Sequence, residues 1–245
     1  MTRIDSSEAI FYLPRDTTAK ALGAEAVEKK LICNGIKPIR NGSRGMFWLE
    51  PLLEVAVANQ RIAFGPLSPE DVAGLLESLR QDIAEAHPLY LGPVDKIEYL
   101  ADQQRLTFAR AGHGDPLCLE NYQSLGGFNG LRNALEMSGQ DIVDQIKKSG
   151  LRGRGGAAFP TGIKWQTVLD QPAQQKYIVC NADEGDSGTF ADRLLMEADP
   201  YQLIEGMTIA GRAVGATQGY IYLRSEYPSA LEVLNIAIER SNIAG

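Results

Sequence analysis

The sequence predicts an α/β protein in two parts. Short apolar runs of strand length alternate with segments whose apolar residues recur at helical spacing. A stretch rich in Pro and Gly at its ends, residues 87–116, separates an earlier β-α-β, β-β-α order from a later alternation of helices and strands. With 44 % hydrophobic and 22 % charged residues over 245 positions, the chain can bury a core in one or two domains.

Residues 9–13 form a first strand. Residues 17–33 read as one helix with Leu22, Ala26, Val27 and Leu31 on one face and Asn34-Gly35 as its stop. Residues 36–40 read as a short strand that Pro38 places at an edge or ends early. After the loop 41–45, Leu53, Val55 and Val57 alternate with Glu54 and Ala56. Asn59-Gln60 turns the chain and Ile62 and Phe64 alternate again, as in a hairpin. Ser68-Pro69-Glu70-Asp71 then opens a helix with Pro at its first position, followed by Val72, Leu75, Leu76 and Leu79. This order is that of a thioredoxin-like domain over residues 1–86. It lacks the redox cysteine pair, so it is expected to scaffold or dock rather than carry electrons.

Residues 87–116 are expected as a linker, with a possible hairpin between its ends. Residues 117–134 read as a glycine-containing loop leading into a short helix. Ser138-Gly139-Gln140-Asp141 is a capping box for a helix that Gly150 ends. A glycine-rich loop follows, then a helix from Pro160-Thr161, a buried-type strand at 176–180, an apolar helix at 203–214, a strand at 219–224 and a helix at 229–241.

Composition removes several function classes. A net charge of −7 gives no electrostatic footprint for nucleic acid or anionic lipid. Cys33, Cys118 and Cys180 are far apart with no C-x-x-C. Neither a zinc site nor an iron–sulfur cluster can be built from them, and reduced thiols in a cytoplasmic protein are expected. His87 and His113 do not cluster. The polar start of the chain shows no signal-peptide core, and no apolar run reaches the roughly 20 residues of a membrane span.

Two stretches carry chemistry. In Leu151-Arg152-Gly153-Arg154-Gly155-Gly156-Ala157-Ala158-Phe159-Pro160-Thr161-Gly162-Ile163-Lys164, the amides at Gly153, Gly155 and Gly156 are expected to be free and to form an anion nest. The following helix start and Arg152, Arg154 and Lys164 would reinforce it. Gly153-x-Gly155-x-x-Ala158 matches the dinucleotide fingerprint weakly, because a capped helix precedes it instead of a strand. No Gly-Lys-Ser/Thr makes it a P-loop, and a mobile glycine loop is the bland alternative. The second stretch runs from the apolar strand into Asn181-Ala182-Asp183-Glu184-Gly185-Asp186. It places an amide and three acids beyond a strand's carboxyl end, where ligands of open α/β sheets bind. Asn181 can both donate and accept at a ring edge, and Asp183 and Glu184 can accept from sugar hydroxyls. A solvated acidic turn, or an oxygen site for Mg²⁺ or Ca²⁺ without a spacing signature, remain the competing readings.

With residues 153–164, residues 179–188 and Gly219-Tyr220-Ile221-Tyr222-Leu223-Arg224-Ser225-Glu226-Tyr227-Pro228 in this order, residues 115–245 resemble the flavoprotein subunit family of respiratory complex I. That family includes the diaphorase subunits of NAD-reducing hydrogenases and NAD-dependent formate dehydrogenases. Phe11-Tyr12-Leu13-Pro14-Arg15-Asp16, residues 40–51 and Phe64-Gly65-Pro66 resemble the formate dehydrogenase β-subunit branch, in which a cluster-free thioredoxin-like domain precedes the flavin domain.

The resemblance implies FMN and NAD as cofactors, with hydride transfer left to FMN and no catalytic side chain. Gly153, Arg154, Gly155 and Lys164 match the FMN phosphate and ring contacts, with Gly156 in the same loop. Asn181, Asp183 and Glu184 match the loop that holds FMN and touches the nicotinamide side. Phe159 matches the ring that stacks on adenine, and Asp186 an acid that tunes dinucleotide binding. Thr167 stands where a second stacking aromatic is common. The family's later Gly-Glu-Glu loop, Asn-rich loop and four-cysteine motif for a 4Fe-4S cluster do not occur, so residues 117–245 are expected as the first part of an FMN/NAD-binding domain. The partners implied are a catalytic metal-containing α subunit and a small 2Fe-2S γ subunit. A hydrogenase diaphorase or complex I subunit is the related alternative, and a docking module without flavin the non-enzyme one.

Overall fold

Strand β1 (Ile10–Tyr12) pairs antiparallel with β2 (Leu53–Val57), setting Phe11 against Val55. In the computed structural model, which describes residues 9–57, 60–154, 156–186 and 188–245, the chain divides into two units. The first is Met1–Asn121 with Arg193–Asp199, and the second Tyr122–Asp192 with Pro200–Gly245. Each contains helices and a sheet, so the α/β class holds.

In the first unit the expected long helix is two, α1 (Thr17–Ala21) and α2 (Ala24–Cys33). Gly23 between them takes φ +106°, a conformation that glycine alone adopts freely. Asp16 caps α1 through Oδ1, which accepts from the amides of Thr18 and Ala19. The expected strand at 36–40 reduces to one parallel bridge between Ile39 and Tyr12, with the Ile39 amide donating to the Phe11 carbonyl at 2.8 Å and the Leu13 amide to the Ile39 carbonyl at 3.0 Å. The hairpin partner of β2 is β3 (Gln60–Phe64), with Leu53 opposite Phe64. Asn59 of the expected turn lies outside the described residues. Helix α3 (Asp71–Arg80) starts after Pro69, not at it. The Asp71 carboxylate accepts from the Ser68 hydroxyl and amide, and these hydrogen bonds hold its pKa below the ordinary value.

The segment expected as a linker supplies β4 (Tyr90–Pro93), the fourth strand of an antiparallel sheet ordered β1-β2-β3-β4, and the short helix α4 (Glu98–Ala101). Phe11, Leu13, Val27, Leu31, Val55, Phe64, Val72 and Leu75 join in one buried cluster between this sheet and α2 and α3.

The second unit begins within α5 (Leu119–Ser124) and continues with α6 (Asn129–Leu135), α7 (Gly139–Ser149) and α8 (Thr161–Leu169). Then come β5 (Tyr177–Ala182), α9 (Ala191–Ala198), α10 (Pro200–Val214), β6 (Gln218–Leu223) and α11 (Pro228–Ala244). The capping box at Ser138 and Asp141 and the left-handed Gly150 bound α7 as expected. Glu205 on α10 accepts from the Phe128 and Leu131 amides and the Tyr122 hydroxyl, and so supplies the start of α6 with the cap its own sequence lacks.

Helices α7 and α8 touch at Gly162. A Cβ there would lie 2.6 Å from Lys147 Cγ and 2.7 Å from its backbone nitrogen. Alanine ordinarily stabilises a helix by ~1 kcal/mol relative to glycine. Gly162→Ala is expected to do the reverse, costing about 1–3 kcal/mol by overpacking. Urea unfolding reads the sign directly, and a more stable variant would contradict this packing.

Strands β5 and β6 are parallel, with Tyr177 beside Gln218 and Ala182 beside Leu223. Ile178 packs with Ile209 and Val214 of α10 and with Trp165 of α8. The opposite face is bare, with Val179 64 % and Tyr222 68 % exposed beside Tyr177 and Tyr220. The strand expected as buried is therefore covered on one side only among the described residues, although parallel sheets ordinarily carry helices on both faces.

Candidate functional site

The glycine-rich loop is a closed hairpin. Arg152 bridges to Pro160, the Gly153 amide donates to the Phe159 carbonyl at 2.9 Å, and the Thr161 amide to the Leu151 carbonyl at 2.9 Å. Arg152 Nε donates to the Ala158 carbonyl at 2.7 Å, so this guanidinium holds the loop itself. Ala158 carries φ +45°, a left-handed conformation costly for a residue with a Cβ. The Gly153 amide is thus engaged rather than free as expected, and the nest shrinks to the hairpin tip. Arg154, Gly156 and Ala157 are exposed there, with open space around the Gly156 Cα, and Gly155 lies outside the described residues.

Phe159 is about half exposed at the base of the hairpin. Lys164 is exposed in the first turn of α8, whose N-cap, Pro160, offers no side-chain cap. Neither Arg154 nor Lys164 makes a side-chain hydrogen bond or ion pair among the described residues. Two cations beside an uncapped helix start leave positive potential for an anion.

At the end of β5, Asn181 Oδ1 accepts from the Asp183 amide at 3.1 Å, an Asx turn that leaves the side-chain N–H donors unpartnered among the described residues. Asp183 and Asp186 are exposed, and Ser187 lies outside the described residues. Glu184 is only 7 % exposed. Its carboxylate accepts from the Asp192 amide at 3.0 Å and the Tyr227 hydroxyl at 3.0 Å, and its carbonyl accepts from the Arg224 guanidinium. Glu184 is thus a strut tying the acidic loop to the start of α9 and to the turn between β6 and α11. Arg224 and Tyr227 were absent from the expected site set. Their only sequence signal was their place in the 219–228 motif.

Burial, then the Glu184 charge, raises the Asp192 pKa. Burial, then Asp192, raises that of Cys180, which keeps this thiol protonated and a poor nucleophile.

The chain reverses between α8 and β5. Lys176 Nζ reaches the Leu169 carbonyl at 3.0 Å, and Trp165 and Ile178 share one core. Among the described residues no group of three or more His, Cys, Asp or Glu is placed to hold a metal, and no helix is long and apolar enough to cross a membrane.

A glycine hairpin running into a helix, followed by a strand ending in an amide and acids, defines an α/β domain. Residues 146–245 match the family model described as the Nuo51 FMN-binding domain. The chain is 50 % identical over 137 residues to HndC, a subunit of the NADP-reducing hydrogenase of Solidesulfovibrio fructosivorans, covering 56 % of this chain and 28 % of that protein. It is 47 % identical over 127 residues to an NADH-quinone oxidoreductase subunit of Aquifex aeolicus, covering 52 % and 30 %. To the α subunit of the NAD-reducing hydrogenase HoxS of Cupriavidus necator it is 32 % identical over 233 residues, covering 88 % and 37 %. The chain thus spans about a third of the length of these relatives. Residues 146–245 are thus similar to a domain described as FMN-binding, and the chain is similar to subunits of NADH-quinone oxidoreductase and of NAD(P)-reducing hydrogenases.

Proposed function

We propose that the chain forms the FMN-holding and NAD(H)-facing part of a diaphorase subunit that passes electrons between NAD(H) and iron–sulfur clusters. The observation that carries this reading is the pair of cations without a partner among the described residues, Arg154 and Lys164, at a glycine hairpin and an uncapped helix start. Arg154, Lys164 and the Gly155-Gly156 backbone would hold the FMN phosphate and offset negative charge on the reduced ring. The N–H donors of Asn181 suit a ring edge, and Asp183 suits sugar hydroxyls. Glu184 acts by holding this loop in place through Tyr227 and Arg224 rather than by touching the ligand. Phe159 offers a ring face for adenine, and Asp186 an acid near the dinucleotide. Bound FMN would supply the conversion between a two-electron hydride and one-electron carriers.

We further assign the first unit a thioredoxin-like fold. The parallel contact of Ile39 with β1, followed by antiparallel β2 and β3, supports this. With the motifs at 11–16, 40–51 and 64–66, it favours an NAD-dependent formate dehydrogenase in the cytoplasm, with a metal-containing α subunit, a 2Fe-2S γ subunit and a 4Fe-4S cluster elsewhere in the polypeptide. A hydrogenase diaphorase is the second reading, favoured by the alignment with the HoxS α subunit, which runs through both units.

The full-length protein is expected to purify yellow with FMN, and a colourless protein that FMN cannot reconstitute would overturn the reading. Phe159→Ala is expected to raise KM for NADH several-fold, equivalent to about 1 kcal/mol of lost stacking, with FMN content unchanged. An unchanged KM would remove Phe159 from the dinucleotide site. Co-purification of a formate-oxidising or a hydrogen-oxidising subunit separates the two electron donors.

A further inference from the structure

The first unit buries five acids: Asp16, Glu50, Glu54, Glu197 and Asp199. Buried carboxylates survive as charges only when a cation or several donors offset them. Glu54 has Arg44 and Arg61, and Asp199 has Arg110. Glu197 accepts from the Thr17 amide and hydroxyl, both at 2.6 Å, with Arg193 in electrostatic reach. Asp16 caps α1 through Oδ1, shares Arg193 with Glu197, and leaves Oδ2 buried without a partner.

Glu50 has no cation among the described residues. Its oxygens meet the Ser43 hydroxyl at 2.6 Å and the Leu52 amide at 2.9 Å, and the charges that face it are those of Asp16 and Glu54. We propose that Glu50 is a neutral carboxylic acid in the folded protein, and that its proton is a latch that keeps a second buried charge from standing beside Asp16 and Glu54. Loss of the proton to solvent would set a buried negative charge against Asp16, whose Oδ2 has no hydrogen-bond partner among the described residues.

Burial first, then Asp16, raises the Glu50 pKa from 4.5 to about 8. Because the folded value lies above the unfolded one, the latch stabilises fully below about pH 4.5 and is lost as pH rises through about 8. The test is urea unfolding of the protein and of Glu50→Gln across this range, with carboxyl-carbon NMR of glutamate-labelled protein. The wild-type midpoint is expected to fall between these two pH values, while Glu50→Gln, which keeps a neutral group of the same shape, falls less, the remainder coming from Asp16 and Glu197, whose pKa values burial also raises. One glutamate resonance should titrate near pH 8 and be missing from the variant. Parallel pH profiles for the two proteins would overturn the proposal. If Glu50→Gln does not fold, the wild-type spectrum still decides: glutamates that all titrate in the ordinary range near 4.3 would overturn it.

Discussion

Replacing Arg154 and Lys164 together with alanine is expected to weaken FMN retention by about two to four orders of magnitude, since charge-assisted hydrogen bonds contribute about 1.5–3 kcal/mol each. The fold should survive. Both side chains are exposed, and neither contributes a hydrogen bond or ion pair to the protein among the described residues. Arg152 differs, because its guanidinium closes the hairpin on the Ala158 carbonyl, and its loss would confuse binding with loop structure. The double variant in the full-length protein therefore isolates the electrostatic contribution. Flavin absorbance after gel filtration measures retention, and far-UV circular dichroism measures the fold. Undiminished FMN content would mean that the phosphate lies elsewhere. Lost FMN together with lost helicity would mean that these cations support the structure rather than the ligand.

Local signals explain which parts of this arrangement were legible beforehand. The boundaries of α7 follow from a capping box and a terminal glycine, both written within a few residues. The hairpin of β2 and β3 follows from strict alternation. Where the outcome depended on distant partners, the pattern misled. The periodicity of 17–33 is helical throughout, yet Gly23 breaks it where the chain turns. Residues 90–93 pair with β3 rather than within their own segment, where a hairpin was expected. Glu184 is chemically indistinguishable from its neighbours Asp183 and Asp186. Only the Tyr227 hydroxyl, 43 positions along the chain, makes it a buried strut. Likewise the Gly153 amide is used by Phe159, a closure that glycine content alone does not reveal.

The largest stability effect is expected at Glu54. Arg44 grips its carboxylate at 2.6 and 3.0 Å, and Arg61 adds a contact at 3.1 Å while stacking 3.6 Å above the Tyr12 ring. Glu54 is 1 % and Arg44 6 % exposed. Burial and the two arginines push the His113 pKa down to about 4, so this imidazole is neutral near pH 7 and adds no further charge. Glu54→Ala leaves Arg44 buried and uncompensated, whereas Arg61, less deeply buried, can partly regain water. Breaking such a pair costs about 3–5 kcal/mol. Removing both charges at once, as in Arg44→Met with Glu54→Leu, avoids the stranded charge and is expected to cost far less. It is not free, because the Arg44 guanidinium also donates to the Gly112 carbonyl at 3.3 Å. Urea unfolding of Arg44→Met, Glu54→Leu and the double variant closes the cycle. A Glu54→Ala variant within about 1 kcal/mol of wild type would place this pair in the range of solvent-screened surface contacts. A double variant as unstable as Glu54→Ala alone would mean that packing, not the unpaired charge, sets the cost.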